Sequence, residues 1–201
     1  MLKTLIFDLG KVIVPFDFER GYQAMAERSG LEAADVRKRI AATACVGPYE
    51  TGHLETPEFV RTISRALGQN FSVDEFQEIW SIIFLPETLL PEEFFVQLKE
   101  RYRLVLLSNT NDLHFNFILQ RYRLLRHLDE FVLSYKAKAA KPDHRIYQAA
   151  IRAAQCRPEE CFFTDDIPEY VAGAQEAGIH AVQFQGYQPL LASLRAHGVE
   201  I

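Results

Sequence analysis

The chain has 201 residues, 48% of them hydrophobic and 24% charged, which is the composition of a globular protein and excludes a disordered one. Its net charge of −5 comes from 27 acids and 22 bases spread along the sequence, so no segment is built to neutralise a nucleic-acid backbone and no nucleic-acid partner is expected. Three cysteines, Cys45, Cys156 and Cys161, form no CxxC pair, which argues against zinc and for reduced thiols in a cytoplasmic protein.

Residues Leu2 to Leu9 form an apolar run that ends at Asp8-Leu9-Gly10, the pattern of a buried parallel strand and too short for a secretory signal. No later run is long enough to cross a bilayer, so no membrane partner is expected. From Phe18 to Leu85 the periodicity is helical. Tyr22, Met25 and Ala26 form one apolar face, Val36 and Ile40 another, and Phe59, Val60, Ile63 and Leu67 a third. Gly30 and Gly68 read as helix stops, Thr56-Pro57 as a start with proline at the first helical position, and Ser72 to Glu75 as a capping box. Pro86 and Pro91 bracket the exit, and Pro91 begins a helix to about Arg101.

Strands and helices then alternate, the signature of parallel βαβ units in an α/β fold. Strands are expected at Leu104 to Leu107, Phe131 to Leu133, Cys161 to Phe163 and Ala181 to Phe184, with helices near 112–121, 143–155, 168–177 and 188–197. The helical block is an insertion after the first strand, placed to cover a site. Ligands of open parallel sheets bind beyond the carboxyl ends of the strands. Those ends carry Asp8, Ser108, Asn109, Asp165 and Asp166, while Lys141 starts a helix between them. Carboxylates, a hydroxyl, an amide and an ammonium together suit a phosphate held beside a hard divalent cation.

In order along the chain, FDLGKVIV, LLSNT, KPDHRIY and FFTDD with a following GAQEAG resemble the four motifs of the haloacid dehalogenase-like hydrolases. The DLG variant and SNTNDLH are most similar to the subgroup that contains bacterial glucose-1-phosphate phosphatase. The resemblance implies a Rossmann-like core over residues 1–14 and 88–201 and an inserted helical-bundle cap over 15–87. It implies a magnesium-dependent phosphatase acting on a small phosphorylated metabolite, with a sugar phosphate as the suggested substrate.

Carried over by position, Asp8 is the nucleophile that forms an aspartyl phosphate. Ser108 and Asn109 hold the phosphoryl oxygens. Lys141, favoured over Lys136 and Lys138 by its Lys-Pro-Asp spacing, balances charge and orients the nucleophile. Asp8, the Gly10 carbonyl and Asp166 ligate Mg²⁺, while Asp165 orients waters around the ion from a second position. Both acids can reach the metal only if the strand has already turned between them.

Two positions depart from the family. Gly10 stands where many relatives carry the aspartate that protonates the leaving oxygen, and Asp17 is a candidate substitute. Tyr170 stands where relatives often carry Asp or Asn, with Glu169 beside it as a solvated acid, so the metal geometry is expected to differ. Phe16, Phe18, Arg20, Tyr22, His53 and Trp80 are candidate contacts for the leaving group. The alternatives are a 2-haloacid dehalogenase, which attacks carbon and needs no metal, and a catalytically weak binding protein that kept the fold.

Overall fold

Five parallel strands, β1 (Thr4–Phe7), β2 (Arg103–Ser108), β3 (Glu130–Leu133), β4 (Cys161–Asp165) and β5 (His180–Gln183), form one sheet in the order β3-β2-β1-β4-β5 in a computed structural model that describes residues 1–201. β1, the first strand made, is the central one. The chain adds β2 and β3 on one side and then crosses back to add β4 and β5 on the other, so the order reverses at β1.

Successive strand residues face opposite ways, and both faces are covered. Leu5, Phe7, Leu104, Leu106 and Phe162 pack with Phe94, Phe95 and Leu98 of α6 (Glu92–Lys99), Phe115 and Ile118 of α7 (Asp112–Arg121), and Leu190 and Leu194 of α11 (Tyr187–Ala196). Ile6, Val105, Leu107 and Phe163 pack on the other face against Ile146 and Tyr147 of α9 (His144–Ala154) and Val171 and Ala174 of α10 (Pro168–Glu176). This two-sided burial explains why the strands read as unbroken apolar runs, each large side chain adding about 1.5–3 kcal/mol when removed from water.

Between β1 and β2 lie α1 (Phe18–Ser29), α2 (Ala33–Ala42), α3 (Val46–Glu50), α4 (Thr56–Leu67) and α5 (Val73–Ser81). Gly30 and Gly68 close α1 and α4 in the left-handed conformation, and Ser72 and Glu75 exchange both bonds of the capping box. These helices share their own apolar cluster, including Met25, Val36, Ile40, Phe59, Val60, Ile63 and Phe76. No helix is long and apolar enough to cross a membrane.

Three helix starts differ from expectation by a residue or more. Thr56 takes the first position of α4, which puts Pro57 second, and Pro91 flanks α6 without entering it. Lys141 does not begin α9: the Asp143 side chain accepts from the Arg145 N–H and caps a helix that starts at His144. Lys141 therefore sits in a turn ahead of the helix, free to point back across the strand ends. β4 also runs two residues further than expected, through Asp165.

Candidate active site

The strand register explains how residues far apart in sequence meet. Phe7 pairs with Leu106 on one side and Thr164 on the other, and the Asp8 N–H donates to the Thr164 carbonyl at 3.0 Å. One residue beyond the paired rows, Asp8 is level with Asp165. β4 ends at Asp165 and the chain bends at Asp166, so these neighbours do not splay to opposite faces. Carboxylate oxygens of Asp8, Asp165 and Asp166 all lie within 4.8 Å of one another.

Lys141 reaches into this group from its turn. Its Nζ donates to Asp8 Oδ1 at 2.6 Å, to Asp165 Oδ2 at 2.5 Å and to the Leu107 carbonyl at 3.1 Å, which uses all three donors of the ammonium. Burial by itself would push the Lys141 pKa down, but Asp8 and Asp165 outweigh it and hold the amine above its usual range. Asp165 spends its other oxygen on the Ile167 N–H at 2.9 Å, at the entrance to α10, and is fully buried. Both oxygens of Asp165 thus serve the protein, which makes it the anchor of Lys141.

Asp8 and Asp166 are different. Burial raises the Asp8 carboxyl, with the Asp165 charge adding to it and Lys141 opposing, while burial and then Asp165 raise Asp166, which pairs with no cation in the chain. Three carboxylates face one ammonium, so the cluster carries an excess of negative charge on hard oxygen donors. That donor set fits a magnesium ion, which prefers one or two carboxylates and keeps several waters.

The Asn109 side chain has a structural role beside the one expected. Its side-chain oxygen accepts from the Lys141 N–H at 2.8 Å and its amide donates to the Lys141 carbonyl at 3.0 Å, so it clamps the lysine turn to the end of β2. The same amide donates to the Tyr170 hydroxyl at 3.3 Å, and the Tyr170 ring lies 5.1 Å from Lys141 Nζ. Tyr170 therefore contacts the lysine and its clamp. Ser108 is buried at the strand end, with only a 3.5 Å contact from its hydroxyl to the Asn109 carbonyl. That hydroxyl retains capacity for a phosphoryl oxygen.

The missing acid at Gly10 has a steric cause. A Cβ built on Gly10 would lie 2.7 Å from the Phe16 ring, well inside contact distance, so the aromatic side chain occupies the space an aspartate would need. Phe16 is held edge-on against Phe18 at 4.9 Å and Phe84 at 6.3 Å. Asp17, the suggested substitute, is exposed and accepts from the Glu19 N–H as the cap of α1. It lines a separate surface recess with Lys11 and Arg37.

A cavity of about 190 Å³ runs from Gly10, Ser108 and Asn109 at the strand ends up into the inserted helices. Of the candidate contacts, Phe16, Phe18, Tyr22 and Trp80 line it. Arg20 instead donates from Nε to the Ile82 carbonyl at 3.1 Å, and His53 bonds the Thr51 hydroxyl at 3.0 Å, both outside the cavity.

Two lining residues, His114 and Glu50, escaped sequence reasoning. His114 follows Asn111 by three residues, a helix-start spacing visible in SNTNDLH. Its Nε2 bonds the Trp80 carbonyl at 2.9 Å and its Nδ1 meets the Asn111 amide at 3.1 Å. Nε2 carries the proton and Nδ1 accepts, an assignment made from those partners. Burial pushes the His114 pKa down to about 4, keeping the ring neutral as it ties the core to the inserted helices. Glu50 ends the short α3 and carried no sequence signal at all.

A sequence model of the haloacid dehalogenase-like hydrolase family matches residues 2–178. The chain is 28% identical over 196 residues to the D-ribitol-5-phosphate phosphatase of Bacteroides thetaiotaomicron, covering 94% of this chain and 92% of that protein. A crystal structure of a haloacid dehalogenase family enzyme from the same organism, in complex with magnesium and inorganic phosphate, superposes with a TM-score of 0.81 at 26% identity, covering 92% and 96% of the two chains. A haloacid dehalogenase-like hydrolase from Porphyromonas gingivalis gives a TM-score of 0.79 at 25% identity over the full length of both.

Proposed function

The chain belongs to the haloacid dehalogenase-like hydrolases, and on that premise we propose that it is a magnesium-dependent phosphatase that cleaves a small phosphomonoester by way of an aspartyl phosphate. The observation that carries this reading is the Lys141 bridge. It holds Asp8 by one oxygen and leaves the other to attack, beside an Asp166 carboxylate that no protein cation neutralises.

Asp8 Oδ2 attacks phosphorus in line with the ester oxygen, forming one P–O bond as the bond to the leaving alcohol breaks. Water then attacks the same phosphorus, releasing inorganic phosphate and restoring the carboxylate. Lys141 orients Asp8 and opposes the burial that raises its carboxyl, and the Ser108 hydroxyl donates to a phosphoryl oxygen. Asn109 and Tyr170 position the lysine. Asp8, Asp166 and the Gly10 carbonyl would hold Mg²⁺, which supplies charge neutralisation for the phosphoryl oxygens when bound. With no side chain at Gly10, the leaving oxygen takes its proton from the substrate or from water.

Residues 15–87 form the cap in this reading, closing over a core of 1–14 and 88–201, and the cavity between them receives the leaving group. The ribitol 5-phosphate activity of the relative favours a sugar or polyol phosphate, and the absence of an acid at Gly10 suits a sugar 1-phosphate in particular, whose anomeric hydroxyl leaves easily. A panel of phosphate esters assayed with magnesium and with chelator tests the proposal. Turnover should need magnesium and disappear in Asp8→Asn. Chelator-resistant chloride release from a 2-haloacid, with no phosphate release, would replace it with the dehalogenase reading.

A further inference from the structure

The leaving-group cavity carries more hydrogen-bonding capacity than the chain itself uses. Thr110 follows Ser108 by two residues, is 5% exposed, and lines the cavity with a hydroxyl that makes no hydrogen bond. Tyr22, half-buried on α1, brings a second free hydroxyl beside the surface recess. The half-buried Glu50 carboxyl has no ion pair or hydrogen bond within the chain. Trp80, also in the wall, buries an indole N–H without an acceptor. Buried polar groups nearly always find partners, so unpaired ones gathered on one cavity point to a ligand that supplies them.

Two of these groups are fixed relative to each other where the inserted helices meet the core. The buried Ser134 hydroxyl accepts from the Thr110 N–H at 2.9 Å and donates to the Glu50 carbonyl at 2.6 Å. The Leu113 N–H donates to the Tyr49 hydroxyl at 3.3 Å, which ties the same short α3 to α7. Thr110 and Glu50 therefore keep their spacing without a ligand, as a preorganised site requires. Met25, Ile40, Val46 and Ile83 supply apolar surface for a carbon skeleton, and a few placed polar groups on such a wall set its orientation. Glu50 is the only charged side chain in the lining, so no cation there receives a second anionic group.

Resting on the phosphatase reading, we propose that Thr110, Tyr22 and Glu50 read the hydroxyls of a sugar or polyol leaving group that bears no second anionic group. A hydroxyl both donates and accepts, so it suits a tyrosine, a threonine and a carboxylate alike. Thr110 lies no more than about 7 Å along the chain from Ser108, so it reads a hydroxyl close to the ester. Glu50, from the inserted helices, takes one further from phosphorus. The substrate class is a polyhydroxylated monophosphate whose leaving group is uncharged. Bisphosphates and phosphorylated sugar acids are rejected by the Glu50 charge.

The magnesium-loaded enzyme is assayed on ribitol 5-phosphate, on pentyl phosphate, which keeps the chain and lacks the hydroxyls, and on 5-phosphoribonate, which ends in a carboxylate. kcat/KM should be on the order of 100-fold higher for ribitol 5-phosphate than for pentyl phosphate. Thr110→Val and Tyr22→Phe should each shrink that ratio about tenfold, the worth of one hydrogen bond. Glu50→Gln should bring 5-phosphoribonate closer to ribitol 5-phosphate by about tenfold. Changes that merely loosen the fold would lower every rate together, and ratios unmoved in all three variants overturn the proposal. Pentyl phosphate turned over as fast as ribitol 5-phosphate overturns it too.

Trp80 is the single tryptophan and lines the cavity, so its fluorescence reports occupancy without turnover. In Asp8→Asn with magnesium, ribitol 5-phosphate should change it saturably, with a Kd about tenfold weaker once Thr110→Val is added. That result with no ester hydrolysed by the wild type would sink the phosphatase reading and keep the hydroxyl-reading site. Hydrolysis with equal Kd in the two proteins would sink the site and keep the phosphatase.

Discussion

His114→Gln removes a buried neutral imidazole and makes a defined change in how stability depends on pH. In the folded protein its pKa falls from 6.5 to about 4, a difference worth about 3 kcal/mol. Below the unfolded value the unfolded chain binds a proton that the folded chain refuses. This contribution to stability is therefore complete above about pH 6.5 and is lost as pH falls towards about 4, where the folded ring protonates too. Integrating between about pH 7.5 and about pH 5.5 gives a loss of about 1 kcal/mol from this one residue.

Glutamine can still donate to the Trp80 carbonyl but has no charge to gain. Urea unfolding of both proteins at the two pH values isolates the residue, because the other five histidines and the carboxylates titrate in both. The wild type should lose about 1 kcal/mol more than the variant over that interval. At neutral pH the variant is expected to be weaker by about 1 kcal/mol through loss of the stack on Trp80. Parallel pH dependences for the two proteins would refute the account of His114 as a ring held neutral by burial.

Lys141→Met leaves Asp8 and Asp165 buried without their cation, so stability should drop by about 3–5 kcal/mol in urea unfolding, and adding Asp165→Asn should recover part of it. Gly10→Asp alone drives a side chain into Phe16 and should cost about 1–3 kcal/mol. Paired with Phe16→Ala, it makes room for an acid, and kcat should then rise more for poor alkyl leaving groups than for nitrophenol, flattening the dependence of rate on leaving-group pKa. Magnesium at about 100 times its Kd should stabilise the wild type by about 2.7 kcal/mol, or roughly 5–10 °C in Tm. Asp166→Asn should lose most of that shift without losing the basal Tm, since this carboxylate makes no internal ion pair.

The strands and the acids at their ends were legible because both are local signals. An apolar run stopping at Asp8 or at Thr164-Asp165-Asp166 reads as a buried strand from a few residues, and the capping box at Ser72 and the glycine stops at Gly30 and Gly68 state their own geometry. The division of labour between Asp165 and Asp166 was only partly legible. Alternation sends adjacent side chains apart, and whether the strand had turned depends on Asp165 binding the Ile167 N–H at the entrance to α10. Asn109 was assigned to phosphate from its place after a strand. The partner of its side chain, the main chain of Lys141, lies 32 residues away and is brought near by the crossing of β2, β3 and α9.

By itself, then, the amino-acid sequence determined the parallel α/β core, the helical insertion after β1 and the gathering of Asp8, Ser108, Lys141 and the paired aspartates at one edge, since each follows from periodicity or from a short run. Only the tertiary structure decided why position 10 is glycine, what Tyr170 touches and that an unpartnered Glu50 faces the leaving-group cavity. These depend on side chains from separate helices meeting across space, Phe16 over Gly10 and α3 on Ser134, and such contacts are set by how helices pack and not by any pattern along the chain.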